Sequence, residues 1–158
     1  IGPDGSLDYD PKFRLEFDWC VASIHSHFDL PAEQQTIRVL KALSDPAVNA
    51  IGHLTGRYVG RRPGVELDVD AVLEGLATTG VALEINGALD RLDATDEVAR
   101  RAMAAGVDVV IDTDSHHTRE LIRMDYGVRW AQRGWVTVDR VLNARPIEEI
   151  RARVAARR

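Results

Sequence analysis

Several apolar runs in the chain end on side chains that can bind a metal. Val109-Val110-Ile111 leads into Asp112-Thr113-Asp114-Ser115-His116-His117, Val21-Ala22-Ser23-Ile24 leads into His25, and Ala50-Ile51-Gly52 leads into His53. A fourth run, Val81 to Ile85, ends on Asn86. Imidazole suits zinc, iron or manganese, and carboxylate suits manganese or magnesium. His25, His53, Asp114 and His116, brought to one place, would make a divalent-metal site in outline. Each has an ordinary role when taken alone. A histidine at a strand end commonly serves as a hydrogen-bonded structural residue, and Asp114 could cap the helix that follows. The recurrence of such residues at the ends of successive runs is what favours the metal.

The neighbours of these residues suggest supporting roles. His27 and His117 lie one or two positions beyond the candidate ligands, where they would face solvent or line a rim. Glu84 and Asn86 are two apart, so they point to the same side of a strand. Glu84 could orient a ligand histidine or neutralise an arginine. Asn86, nearer the strand end, is the better candidate for touching a substrate. Arg57, Arg61 and Arg62 follow His53 in the loop "GRYVGRRPG". Planar guanidinium groups bind phosphate oxygens in pairs, so a basic loop beside a metal rim points to a phosphate ester. Arg57 is the preferred phosphate contact, being four residues after His53. Arg61 and Arg62 fit a solvated loop equally well.

Elements that could position such residues alternate along the chain. The predicted strands are Trp19 to His25, Val48 to His53, Val81 to Asn86 and Val107 to Asp114, rich in apolar and β-branched residues. The predicted helices are Ala32 to Leu43, Asp68 to Thr78, Asp96 to Ala105, Tyr126 to Arg133 and Ile147 to Ala156. Helical turns are expected from Thr118 to Met124, with short turns around Val138 to Leu142. Asp68 and Thr95 are in place as N-caps, and Gly80 and Gly106 as stops. Alternation of this kind implies parallel βαβ units. The strands are almost continuously apolar, as they are when both faces are covered. Four strands are few for a closed barrel, which usually takes about eight. Ligands are expected at the C-terminal edge of such a sheet, where strands fix the residues and loops vary.

Composition sets outer limits. The 158 residues suit one domain, 45% are hydrophobic, and the net charge is −5. An acidic balance argues against a broad nucleic-acid-binding surface, though not against a local one. The chain has no apolar run of the length a membrane span needs, and no membrane partner is expected. Cys20 is the single cysteine, so neither an internal disulfide nor a cysteine-based zinc site is available. A cytoplasmic location is consistent with this. The chain opens at Ile1 without an initiator Met, which suggests a piece of a longer polypeptide.

The phrases "DGSLDY", "FDWCVASIHSHF", "GHLTGR", "LEIN" with "RLD" soon after, "DTDSHH", "YGVRWAQRGW" and "VLN" resemble, in order, the PHP (polymerase and histidinol phosphatase) superfamily. They are most similar to the PHP domain at the C-terminal end of bacterial family X DNA polymerases. The resemblance implies part of a distorted seven-stranded β/α barrel, with about four parallel strands and the first strands missing. Residues 1–158 would then be the C-terminal portion of one PHP domain, and its upstream part would be a partner. The complete domain would hold up to three divalent ions (Mn, Zn, Fe or Mg). His25, His53, Asp114 and His116 fall on the family's metal-binding motifs, and Asn86 falls in "EIN" at the edge of the site. The family's opening His-x-His and the ligand positions after it have no counterpart here. Leu54 stands where proline is usual, and "DSHH" replaces the commoner "DAHS". The implied activity is metal-dependent phosphoester hydrolysis, 3′–5′ exonucleolytic on DNA ends in the polymerase case. The alternatives are a phosphatase for a small phosphate monoester, of the histidinol-phosphatase type, and a non-catalytic partner-binding module. The isolated chain is expected to bind metal weakly and to show little catalysis.

Overall fold

A computed structural model describes residues 1–158. Four strands, β1 (Cys20–Ala22), β2 (Val48–Ile51), β3 (Ala82–Asn86) and β4 (Val109–Asp112), form one sheet in the order β1-β2-β3-β4. Every neighbouring pair is parallel. A mixed α/β chain with sequential parallel strands joined through helices is the arrangement of part of a β/α barrel. The connecting helices are α2 (Ala32–Leu43), α3 (Val69–Thr79) and α4 (Asp96–Ala104). A single-turn helix, α1 (Pro11–Arg14), precedes β1, while α5 (Met124–Arg133) and α6 (Ile147–Arg157) follow β4. Short 3₁₀ segments cover Thr118–Arg123, Val138–Arg140 and Leu142–Ala144. No helix is long and apolar enough to cross a membrane.

The local chemistry of the sequence accounts for the helix ends. Asp68 accepts from the Ala71 N–H at the start of α3, and Thr95 accepts from the Val98 N–H at the start of α4. Gly80 closes α3 at φ 70°, a left-handed conformation that glycine adopts without a Cβ penalty. One face of the sheet meets the helices through Ala22, Ile24, Ile51, Leu83, Ile85, Val109 and Ile111, packed on Val39, Leu43, Val72, Leu76 and Ala99. The opposite face carries the smaller cluster Ala50, Ala82, Val110 and Leu142, with Trp19 packed beside it.

α6 locks the N-terminal edge of the sheet. Arg157 donates to the carbonyls of Val48, Thr79, Leu43 and Asp45. Leu43 and Thr79 are the last residues of α2 and α3, where backbone carbonyls lack intrahelical partners. Asp108, just before β4, gathers Arg140, Arg145 and Arg153.

The strands are shorter than their apolar runs predicted. β2 ends at Ile51 rather than His53, and β4 at Asp112 rather than Asp114. The cause is a turn of the backbone: His53 has φ 28° and Asp114 has φ 48°. A residue in that conformation leaves the extended ladder. β1 is likewise confined to Cys20–Ala22, with a register irregularity between Cys20 and Val21. The α1 turn was not anticipated from the polar opening segment; Asp10 caps it by accepting from the Lys12 N–H.

Candidate metal centre

The four strands run the same way, so the residues that follow them meet at one edge. A pocket of about 330 Å³ opens there, lined by Val21, Ser23, His25, Gly52, His53, Glu84, Asp112, Asp114 and His116. All four predicted metal ligands line it. Their loops are anchored from behind. Arg38, fully buried on α2, donates to the carbonyls of Ser26 and His27 and so holds the turn after His25. The backbone N–H of His53 donates to the Glu84 carboxyl group.

His25 and His53 form the tightest pair, with Nε2 atoms 3.2 Å apart. Two nitrogens bound to one tetrahedral cation at about 2.0–2.1 Å would stand about 3.3 Å apart. The pair therefore has the spacing of two ligands on one ion. Nδ1 of His53 is buried with no hydrogen-bond partner. Nδ1 of His116 lies 2.8 Å from the Asp114 carbonyl oxygen. A carbonyl only accepts, so this nitrogen carries the proton and Nε2 is left with a free lone pair. Donor chemistry thus fits a divalent cation. The quartet does not close: no three of the histidine, aspartate and glutamate side chains converge as a ready-made cluster. His25 and His53 are juxtaposed, while Asp114 and His116 stand farther round the same pocket.

Electrostatics at this edge also suit a cation. Burial, followed by the positive charge of Arg91, lowers the His53 pKa to about 4. Burial, first, and the charge of Arg91 lower that of His25. Both imidazoles are neutral at pH 7, the form that binds metal. Glu84 is pushed up to about 9, first by burial and then by the charge of Asp112. Burial also raises Asp112. The two carboxyls sit closely enough to share a proton, so the pocket floor holds one negative charge where two carboxylates could stand.

The two residues expected to touch substrate are placed elsewhere. Asn86 is completely buried: its Nδ2 donates to Glu84 and its Oδ1 accepts from the Ala88 N–H. Its amide is consumed in holding the floor and does not reach the pocket. Arg57 turns back to donate to the carbonyls of Arg91 and Leu92. Those carbonyls belong to a loop with no regular structure, and Arg57 satisfies them in place of a phosphate. His27 and His117 are exposed and lie outside the pocket lining.

Sequence reasoning passed over Asp112 and Arg91. The alternation of Asp112 and Asp114, two apart at a strand end, was a usable signal for the first. Arg91 reaches Asp114 from a different loop, and no local spacing reveals that.

Comparison with known proteins bears on this geometry. No family model matches the chain. It is 42% identical over 152 residues to the DNA polymerase/3′-5′ exonuclease PolX of Bacillus subtilis, covering 96% of this chain and 27% of that protein. This similarity agrees with the resemblance to the PHP superfamily. The chain is also 31% identical over 124 residues to a probable phosphatase of Clostridium acetobutylicum, covering 73% of this chain and 48% of that protein. A probable phosphatase of Vibrio atlanticus matches at 28% over 125 residues, with the same coverage of each. The chain thus spans between about a quarter and a half of the length of these curated relatives.

Proposed function

We propose that this chain is the C-terminal portion of a PHP phosphoesterase domain, and that its parent hydrolyses phosphodiesters at DNA 3′ ends as part of a family X polymerase. The observation that carries the reading is the single pocket receiving His25, His53, Asp114 and His116. Similarity over 96% of this chain to part of a DNA polymerase/3′-5′ exonuclease supports the choice of substrate. His25, His53, Asp114 and His116 would hold divalent ions, with further ligands from the upstream part of the domain. Bound there, such ions lower the pKa of a coordinated water and neutralise phosphate oxygens.

The chain's own residues do the rest. Burial and Arg91 keep the His53 imidazole unprotonated. The Glu84 carboxyl fixes the His53 backbone in its left-handed turn. Asn86 holds Glu84 in place. Beside the pocket, residues 57–64 line an open groove of about 540 Å³ with no acidic residue, in which Arg57 and Arg62 are spent on backbone carbonyls and Arg61 is left free. Arg61 is exposed there, which suits the flanking phosphates of a polymer better than a monoester.

The test uses the parent protein with its upstream part. A 5′-labelled single-stranded oligonucleotide and a small phosphate monoester are compared in Mn²⁺. Shortening of the oligonucleotide, abolished in H53A and D114A, is expected. Hydrolysis of the monoester with the DNA left intact would instead support the small-molecule phosphatase, a reading favoured by the probable-phosphatase relatives. Unchanged activity in both variants would reduce this segment to a scaffold.

A further inference from the structure

We propose that Arg91 is the positioning residue of this site: it fixes the Asp114 carboxylate so that one oxygen faces the pocket. The inference rests on the reading of Asp114 as a ligand. Arg91 Nε donates to Asp114 Oδ2 at 2.8 Å, and only that oxygen is engaged. The other oxygen is left to the pocket that Asp114 lines. No other side chain bonds the Asp114 carboxylate, although its backbone N–H donates to Asp112 Oδ1 at 3.3 Å. Its backbone is left-handed, at φ 48°, beyond the end of β4.

Arg91 is itself held from three sides. It is 7% exposed. Its guanidinium carbon lies 4.2 Å from the centre of the Tyr58 ring, and Nη2 donates to the Tyr58 hydroxyl at 3.1 Å. Its backbone carbonyl accepts from Arg57 Nε at 2.7 Å. Arg57, expected from its sequence position to grip phosphate, thus braces the residue that aims the carboxylate. The loop after β2 and the loop after β3 are thereby tied to the ligand that follows β4.

Two effects compete at such a position. The guanidinium charge repels a cation, whereas a fixed carboxylate orientation favours one. Removing groups that orient metal ligands typically costs about 10–100-fold in affinity, so orientation is expected to win. Lysine cannot replace arginine here, because a compact ammonium lacks the planar fork and the stacking surface.

Calorimetry of Zn²⁺ and Mn²⁺ binding to the parent protein with its upstream part tests this in wild type, R91A, R91K, D114N and R91A/D114N. R91A and R91K are each expected to weaken binding about 10–100-fold. The double variant is expected to bind no more weakly than D114N alone. Unchanged or tighter binding in R91A overturns the proposal, as does an R91A loss that persists in full on the D114N background. Thermal melting in chelator supplies a metal-free readout, in which the double variant should melt no lower than the less stable single variant. Additive losses would mean that the two side chains are not coupled, and would overturn the proposal. Y58F, a milder change, should weaken metal binding in the same direction if R91A fails to fold. A wild-type parent protein that takes up no cation refutes the ligand reading, and the melting comparison then decides the Arg91–Asp114 pairing by itself.

Discussion

Replacing Glu84 by glutamine should make the metal-free chain more stable at alkaline pH, although it removes an ionisable group from the candidate site. Glu84 is buried beside Asp112 and its pKa rises to about 9. In the unfolded chain it ionises near the ordinary value of 4.5. Between those values the folded chain binds one more proton than the unfolded chain. Stability contributed by the protonated carboxyl is therefore complete below about pH 4.5 and is lost progressively as pH rises toward 9. The loss is about 1.4 kcal/mol per pH unit, or about 2.5 kcal/mol between pH 6.5 and 8.5. Glutamine mimics the protonated group at every pH. Its carbonyl can accept from the His53 N–H and Asn86, and its amide can donate to Asp112. Urea unfolding in chelating buffer at several pH values, for wild type and E84Q, isolates the effect. The His53 contribution lies between pH 6.5 and about 4, outside the window. The depressed amino terminus titrates in both proteins and cancels in the difference. The gap between the two stabilities should widen by about 2.5 kcal/mol across the window. Parallel curves would show that Glu84 is ionised in the folded chain and would refute the shared-proton account of the pocket floor. D112N removes the contribution of Asp112 but leaves Glu84 buried, so it should flatten the pH dependence only in part.

Two further changes probe the frame rather than the site. R157A strips a donor from the carbonyls of Val48, Thr79, Leu43 and Asp45. It should cost about 2 kcal/mol by urea midpoint, since it leaves part-buried acceptors unpaired at two helix ends. Cation uptake should be unchanged, because the clamp lies at the other edge of the sheet. G87A would place a Cβ 2.5 Å from the Arg123 carbonyl oxygen and 3.0 Å from both the Asp112 carbonyl oxygen and the Gly127 nitrogen. These are backbone atoms that cannot swing away, so a loss of about 2–3 kcal/mol is expected in thermal melts.

Element order and type were legible because several signals agreed. The apolar runs were bounded by Asp68, Gly80 and Thr95, and each proved to be a working cap. The strand ends were not legible, because a histidine or aspartate gives no local sign that it will turn left-handed. The positions of His25, His53, Asp114 and His116 around one pocket followed from parallel topology alone. The roles of Arg57 and Asn86 did not. Offset along the chain indicates which loop a side chain leaves, but not which backbone carbonyls lack donors. The carbonyls of Arg91 and Leu92, 34 and 35 residues away, claimed Arg57. Arg91 was missed for the same reason, since its partner lies 23 residues downstream.

The two edges of the sheet are built to different ends. At the N-terminal edge, arginines from α6 and its approach satisfy helix carbonyls and Asp108. At the C-terminal edge each strand is followed by a residue with positive φ that is not glycine: His27 after β1, His53 after β2, Leu92 after β3 and Asp114 after β4. Residues held this way cost of order 1–3 kcal/mol each and persist only where their surroundings compel them. Buried atoms without partners occur on the same loops, at His53 Nδ1, Arg91 Nη1 and Asp93 Oδ1. Packing alone would select against both features. Their concentration at the edge that gathers the histidines and aspartates is what a binding site demands of a stable frame, and the tight N-terminal edge is what lets the frame hold it.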